Sequence, residues 1–220
     1  MTASPPTAKG RATRERIVRT AAEMVAEEGV AALTLDRVGA RAPASRSQLY
    51  HYFADKDALV LAIVEETCDA VLGAQTELFA QLDSWEGIAR WFQALVELQR
   101  QRHARGGCPI GSLAGQLAER DPQARAAIAD GLDRWESHLR KGLIRMRRGG
   151  ELTSDADPSA LATATMAMLQ GGLLLTQVRR DPEQLRTALD AAWELLRAAR
   201  ARHDGPATGS GPEGAHAEDS

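Results

Sequence analysis

Cysteine is scarce in this chain of 220 residues, and its placement excludes two classes of protein. Cys68 and Cys108 are the two cysteines, and neither belongs to a Cys-x-x-Cys or Cys-x-x-His motif. The sequence therefore excludes a disulfide-stabilised scaffold and a cysteine-based zinc site. Two thiols without such a framework suit a reducing compartment, and we expect a cytoplasmic protein.

Long apolar runs are also lacking. No stretch of about 18 consecutive apolar residues occurs, so we expect no membrane-spanning segment and no membrane partner. Residues 1–10 lack the apolar stretch that a secretory signal needs. Apolar residues make up 44% of the chain and charged residues 26%, which is typical of a protein that forms a soluble core. Collagen, coiled-coil rods and wholly disordered chains are excluded.

Charge is distributed unevenly along the chain. The net charge is −3, but residues 1–57 carry +2 and the remainder carries −5. Within residues 1–20, Glu15 is the one acidic residue beside five basic ones, which are Lys9, Arg11, Arg14, Arg16 and Arg19. A basic segment on an acidic protein indicates a local anionic partner, although solubility alone could also explain it.

The apolar residues recur with a helical period, and no segment alternates over strand length. We therefore predict an all-α protein of about nine helices. The first helices are expected over 13–28, 35–42 and 45–52, followed by one long helix over 55–82. Ser84 opens the next helix, and a short one is expected around 110–119. Three Asp-Pro pairs predict later helix starts, because the carboxylate caps free N–H groups while proline occupies the first helical position: Asp121-Pro122, Asp157-Pro158 and Asp181-Pro182.

Composition divides the chain into four parts. Residues 203–220 are rich in Gly, Pro, Ala and Ser and have no Leu, Ile, Val or aromatic residue, so we predict a disordered tail. Residues 1–8 are expected to form a disordered arm. Residues 9–57 form one predicted domain and residues 58–202 the other.

The stretch from Leu33 to Asp57 has the layout of a helix-turn-helix. Its second short helix, over 45–52, begins with four side chains that can form hydrogen bonds and have no evident core role. Arginine pairs bidentately with guanine and glutamine with adenine, whereas tyrosine, histidine and lysine reach phosphates. The predicted DNA contacts are Thr34, Ser45, Arg46, Ser47, Gln48, Tyr50, His51 and Lys56. The alternative, that the cluster Tyr50, Tyr52 and Phe53 is core, stays open at this point.

Residues 11–65 resemble the DNA-binding domain of TetR-family transcriptional regulators. The similarity rests on the run from Leu49 to Leu59, LYHYFADKDAL, on the opening that contains Arg14 and Ile17, and on Thr34. The resemblance implies a homodimeric repressor that binds a palindromic operator in double-stranded DNA and is usually released by a ligand. Pro43 departs from the family pattern in the turn, so the turn geometry is expected to differ slightly.

The second domain resembles the LmrA/YxaF-type branch of the same family, through Gly107–Leu113 and Leu169–Leu173. This resemblance implies a pocket for an apolar or aromatic small molecule and a dimer formed by the helices over 157–180 and 182–201. The predicted pocket residues are Trp91, Phe92, Trp135, Met166 and Gln170. For each of them, a place in the plain core or in the dimer interface is the alternative.

An enzyme is not expected. The one Glu-x-x-His motif, Glu213 to His216, lies in the predicted tail, and we expect no catalytic residues, no cofactor and no metal. The remaining alternative is a DNA-binding architectural or activator protein without a small-molecule effector. A cavity of a few hundred Å³ among residues 85–175 would favour the ligand-responsive regulator over this alternative.

Overall fold

The computed structural model describes residues 8–201, and this part of the chain contains ten α-helices and no β-strand. Nine of the helices have seven residues or more, so the predicted all-α class is confirmed. The helices are α1 Ala8–Glu28, α2 Leu35–Arg41, α3 Arg46–Tyr52, α4 Lys56–Gly73, α5 Thr76–Phe79, α6 Trp85–Gln101, α7 Pro109–Leu117, α8 Pro122–Arg148, α9 Pro158–Arg179 and α10 Glu183–Ala198.

Two predictions concern residues at the ends of the chain. The expected tail over 203–220, with Glu213 and His216, lies outside the described residues. The expected arm over 1–8 also lies outside them, except for Ala8, which is the first residue of α1. Between α1 and α2, a short 3-10 helix spans Val30–Ala32.

Side-chain caps start the helices where the sequence predicts them. Asp121 accepts hydrogen bonds from the backbone N–H groups of Gln123 and Ala124 at 2.9 and 3.0 Å, and α8 follows. Asp157 caps α9 in the same way. In the third Asp-Pro pair, Asp181 accepts from the N–H of Glu183 at 3.0 Å, although the helix itself begins one residue after the proline.

The prediction of one long helix over 55–82 is wrong. α4 ends at Gly73, and a turn through Gln75 leads into the short α5. Gln75 explains the break, because its Nε2 donates to the Val71 carbonyl at 2.8 Å and its Oε1 accepts from Trp91 Nε1 at 2.8 Å. Turning the chain there satisfies the indole N–H of a fully buried tryptophan.

The helices form an N-terminal unit of α1–α3 and a C-terminal body of α5–α10, which α4 connects. α4 packs on α1 and α8, and α9 packs between α8 and α10. α9 is the one described helix that is long and apolar enough to cross a membrane by length and composition. Its inward face nevertheless belongs to the core, with Leu169 and Leu173 buried against neighbouring helices.

Gly172 allows α9 and α10 to approach closely. A Cβ atom at this position would lie 2.8 Å from the Cβ of Ala188 and 3.2 Å from the Cα of Leu185. A side chain there would therefore meet the α10 backbone, which cannot move aside as a flexible side chain can. This contact explains why a mid-helix glycine occurs in a helix that is otherwise well formed.

We predict that Gly172→Val destabilises the fold by about 1–3 kcal/mol, because overpacking forces α9 and α10 apart. Gly115→Ala is the matched control, since nothing lies within 4 Å of a Cβ at Gly115. The control should leave stability unchanged or raise it by up to about 1 kcal/mol through helix propensity. Urea denaturation followed by circular dichroism measures both, and equal stability of the two variants would contradict the packing argument.

Candidate functional site

α2 and α3 approach each other closely across a tight turn. A Cβ atom on Gly39 would lie 2.7 Å from Cδ1 of Leu49 and 3.3 Å from the carbonyl oxygen of Ala44, so glycine permits the approach. No residue from 42 to 45 has a positive φ. The fixed negative φ of Pro43 is therefore compatible with this turn, and the departure from the family pattern leaves the two helices in contact.

A capping box starts α3. The Oγ atom of Ser45 accepts from the N–H of Gln48 at 3.2 Å, and Oε1 of Gln48 accepts from the N–H of Ser45 at 2.9 Å. Gln48 therefore stabilises the start of the helix in the unbound protein. Bidentate pairing with adenine needs this same oxygen, so reading a base with Gln48 would require the capping box to open.

The outward face of α3 is polar and open to solvent. Tyr50 is 48% exposed, whereas Leu49 and Phe53 are buried and anchor the helix to the N-terminal unit. Tyr52 is half-buried against the core. The alternative that the aromatic cluster is simply core is thus wrong for Tyr50. The other predicted contacts at Thr34, Ser45, Arg46, Ser47, Gln48 and His51 are exposed, and Lys56 is half-buried at the start of α4.

Arg46 is held above Tyr50. Its guanidinium carbon lies 5.7 Å from the centre of the Tyr50 ring, and its Nε lies 3.8 Å from a carboxylate oxygen of Asp36. The hydrogen bond to Tyr50, and then the charge of Asp36, raise the pKa of Arg46. This arrangement keeps the guanidinium charged and extended from the exposed face of α3.

A large cavity of about 800 Å³ lies between α1, α4 and α6. Its volume is within the range of small-molecule sites. Residues 107–109 also line it, and Trp135 and Leu173 reach it from α8 and α9. The cavity therefore touches both the N-terminal unit and the C-terminal body.

Of the five predicted pocket residues, the structure places one at the cavity. Trp135 contributes to its wall, whereas Trp91, Phe92, Met166 and Gln170 do not. Trp91 is fully buried with its indole N–H bonded to Gln75. Phe92 lies instead on a smaller groove between α6 and α10. The large side chains fill the core, so the space lies elsewhere.

Small residues form much of the wall and were missed by the sequence analysis. Pairs of alanines four residues apart line the cavity: Ala22 with Ala26 on α1, and Ala70 on α4 with Ala74 directly after its last residue. Such i, i+4 alanine pairs on one helix face leave room beside the helix. That spacing is the signal in the sequence that could have located the site.

Cys108 lines the cavity and caps α7. Its Sγ accepts from the N–H of Gly111 at 3.4 Å. Burial raises the pKa of the Cys108 thiol, so the neutral form dominates near neutral pH. α7 then runs from the cavity to the N-terminal unit, where Oε1 of Gln116 accepts from the N–H of Val30 at 2.8 Å.

Two family models match the chain. The model of bacterial regulatory proteins of the tetR family matches residues 17–63, and that of the tetracyclin repressor-like C-terminal domain matches residues 85–192. The transcriptional regulator AcuR of Cereibacter sphaeroides is 28% identical over 78% of this chain and 79% of its own length. The regulator Rv0196 of Mycobacterium tuberculosis is 30% identical over 84% of this chain and 92% of its own length.

Solved structures share the fold. The reduced form of Escherichia coli NemR superimposes with a TM-score of 0.73 at 22% identity, covering 86% of this chain and 98% of that one.

The tight turn between α2 and α3 and the exposed polar face of α3 are the features of a helix-turn-helix DNA-binding protein. Within that class, the chain belongs to the TetR family of transcriptional regulators.

We predict that Arg46→Ala lowers affinity for the preferred DNA site by about 5- to 150-fold and flattens the preference at one base pair, since a bidentate arginine–guanine pair contributes about 1–3 kcal/mol of discrimination. Arg125→Ala is the charge-matched control, because Arg125 is exposed on α8, far along the chain from α3. Fluorescence anisotropy against single-base variants of the site measures both. Uniform weakening at all sequences would assign Arg46 to the phosphates instead.

Proposed function

We propose that the protein is a cytoplasmic homodimeric repressor, which binds a palindromic operator and is released by an apolar or aromatic small molecule. The observation that carries the proposal is the 800 Å³ cavity beside a DNA-binding unit with an exposed recognition helix. A DNA-binding architectural or activator protein without an effector needs no such cavity. The name of the relative NemR, a transcriptional repressor, also favours repression.

In the proposed complex, the two α3 helices enter successive major grooves about 34 Å apart. Arg46 reads a guanine, and Ser45, Ser47 and Gln48 reach the neighbouring base edges. Tyr50 and His51 contact phosphates, as do Thr34 and Lys56 at the starts of α2 and α4. Arg37 and Arg41 are not assigned to DNA, because they pair with Glu28 and Glu27 at 2.7 and 2.8 Å.

The dimer is proposed to form through α9 and α10, over the predicted ranges 157–180 and 182–201. The outward face of α9 carries Leu174, Leu175 and Val178, which expose 60%, 43% and 71% of their surface. Gly171 lies one turn before them, where a Cβ would meet nothing within 4 Å. A smooth apolar stripe of this kind is suited to close packing against the same helix of a second copy.

Release requires the ligand to prefer the conformation that binds DNA poorly. A hundredfold drop in operator affinity needs about 2.7 kcal/mol of coupling between the two ligands, which is within the usual range. The cavity lies between the N-terminal unit and the C-terminal body, so a ligand there can change their relative orientation. We therefore assign binding, and not catalysis, as the activity of the chain.

The first test is an anisotropy titration of the purified protein against DNA from upstream of its own gene, at stated salt concentrations. We expect binding that random DNA does not displace, with affinity falling steeply as salt rises because phosphate contacts release counterions. Binding no tighter than to random DNA would contradict autoregulation through this fragment. The same assay then reports release by candidate apolar compounds.

The dimer interface has its own test. The double variant Leu174→Glu, Val178→Glu places two carboxylates in the proposed apolar contact, and we expect sedimentation equilibrium to show a monomer. Ala129→Glu, at an exposed position on α8, is the control and should remain dimeric. A dimeric double variant with an unchanged circular dichroism spectrum would exclude this face of α9 from the interface.

A further inference from the structure

We propose that α1 of the DNA-binding unit forms one wall of the effector site, so that a neutral apolar molecule binds directly between α1 and α6. This inference rests on the proposed function and specifies where its ligand binds and what chemistry it has. Coupling to DNA would then begin with the ligand touching the DNA-binding unit itself. No intermediary helix would be needed for the first step.

The lining segments on α1 and α6 define the length of the site. The lining residues on α1 extend from Arg19 to Ala26, and those on α6 extend from Ala94 to Arg102. At 1.5 Å per residue these segments are about 10 and 12 Å long. α4 supplies the floor between them over residues 66–74. An apolar chain or ring system of about this length fits between the two helices.

The floor of the groove is apolar. Ala22 and Ala26 face it from α1, Ala70 and Ala74 from α4, and Leu98 from α6, where it is 38% exposed. Gln75 and Gln99 also line it: the side chain of Gln75 already bonds to the Val71 carbonyl and to Trp91, whereas the buried Oε1 of Gln99 has no partner among the described residues and can accept one hydrogen bond from a ligand. Apolar contact is therefore the main contribution to binding.

Charges at the rim favour a neutral molecule over an anion. Five charged residues line the site, of which two are basic and three are acidic: Arg19, Arg102, Glu23, Glu66 and Glu97. The five groups together carry a net charge of −1, which disfavours an anionic ligand. A neutral ligand has no such cost.

α1 transmits its position to the recognition helix as a rigid body. The adjacent face of α1 buries Val18, Ala21 and Val25 in the core. Two ion pairs, Arg37 with Glu28 and Arg41 with Glu27, fix α2 to the end of α1. A ligand that separates α1 from α6 therefore reorients α2 and α3 together.

The test uses two dyes that share one scaffold. N-phenyl-1-naphthylamine is neutral, and 1-anilinonaphthalene-8-sulfonate is the same molecule with a sulfonate. We expect the neutral dye to bind the full-length dimer more tightly and to lower operator affinity by the same factor by which operator DNA lowers dye affinity. Tighter binding of the sulfonate, or no binding of the neutral dye, would overturn the assigned chemistry.

Three phenylalanine variants locate the site. Ala26→Phe fills the groove from α1, Ala74→Phe fills it from α4, and Ala12→Phe is a control at an exposed α1 position outside the groove. We expect the first two to weaken binding of the neutral dye by about tenfold or more, which corresponds to about 1.4 kcal/mol. The control should bind the dye as the wild type does.

The variants separate this inference from the proposed function. If Ala74→Phe weakens dye binding and Ala26→Phe does not, α1 is no part of the site, and the inference fails while a ligand-responsive repressor stands. If neither variant weakens dye binding, the cavity is not the dye site, and the assignment of the effector to this cavity fails as well. Circular dichroism of each variant shows that the fold is intact, and operator binding is measured independently.

Discussion

The packing of α1 is the constraint on which the rest of the structure depends. Ile17, Val18 and Ala21 on one face are almost fully buried in the core of the N-terminal unit. Burying a large aliphatic side chain contributes about 1.5–3 kcal/mol, so this face holds the helix-turn-helix together. The small residues Ala22 and Ala26 lie beside this buried face and border the cavity. α1 therefore contributes both to the core of the N-terminal unit and to the wall of the cavity.

The helix starts were predictable because they depend on residues that are close together in the sequence. Ser45, Asp121 and Asp157 cap their helices where the sequence places them, because a cap depends on residues two or three positions away. The break after Gly73 was missed for the opposite reason. It depends on Gln75 bonding to Trp91, a contact between separate helices that apolar periodicity does not contain.

The exposed face of α3 was predictable from the sequence, whereas the position of the cavity was not. The proposed DNA-contacting positions follow from one contiguous motif, and most of them lie on α3, where they are exposed. The large aromatic residues do not indicate where the cavity lies, because Trp91 is fully buried in the core and Phe92 lies on the smaller groove, whereas Trp135 alone of the three reaches the cavity. Space remains where side chains are small, so the cavity lies beside the alanine pairs. The helices on its other side come from distant parts of the chain, and sequence spacing does not show which they are.

The contact between the two parts of the molecule is suited to regulation by a small molecule. The Gln116–Val30 hydrogen bond ties the N-terminal unit to the end of α7, and a bond of this kind contributes about 1 kcal/mol net. α7 begins at Cys108 and Pro109 beside the cavity, so its two ends lie at the two sites that must communicate. The free energy of this hydrogen bond is smaller than the coupling free energy of a few kcal/mol that ligand binding can supply. The buried face of α1 contributes more than this single bond, and for that reason we expect the N-terminal unit to move as a whole.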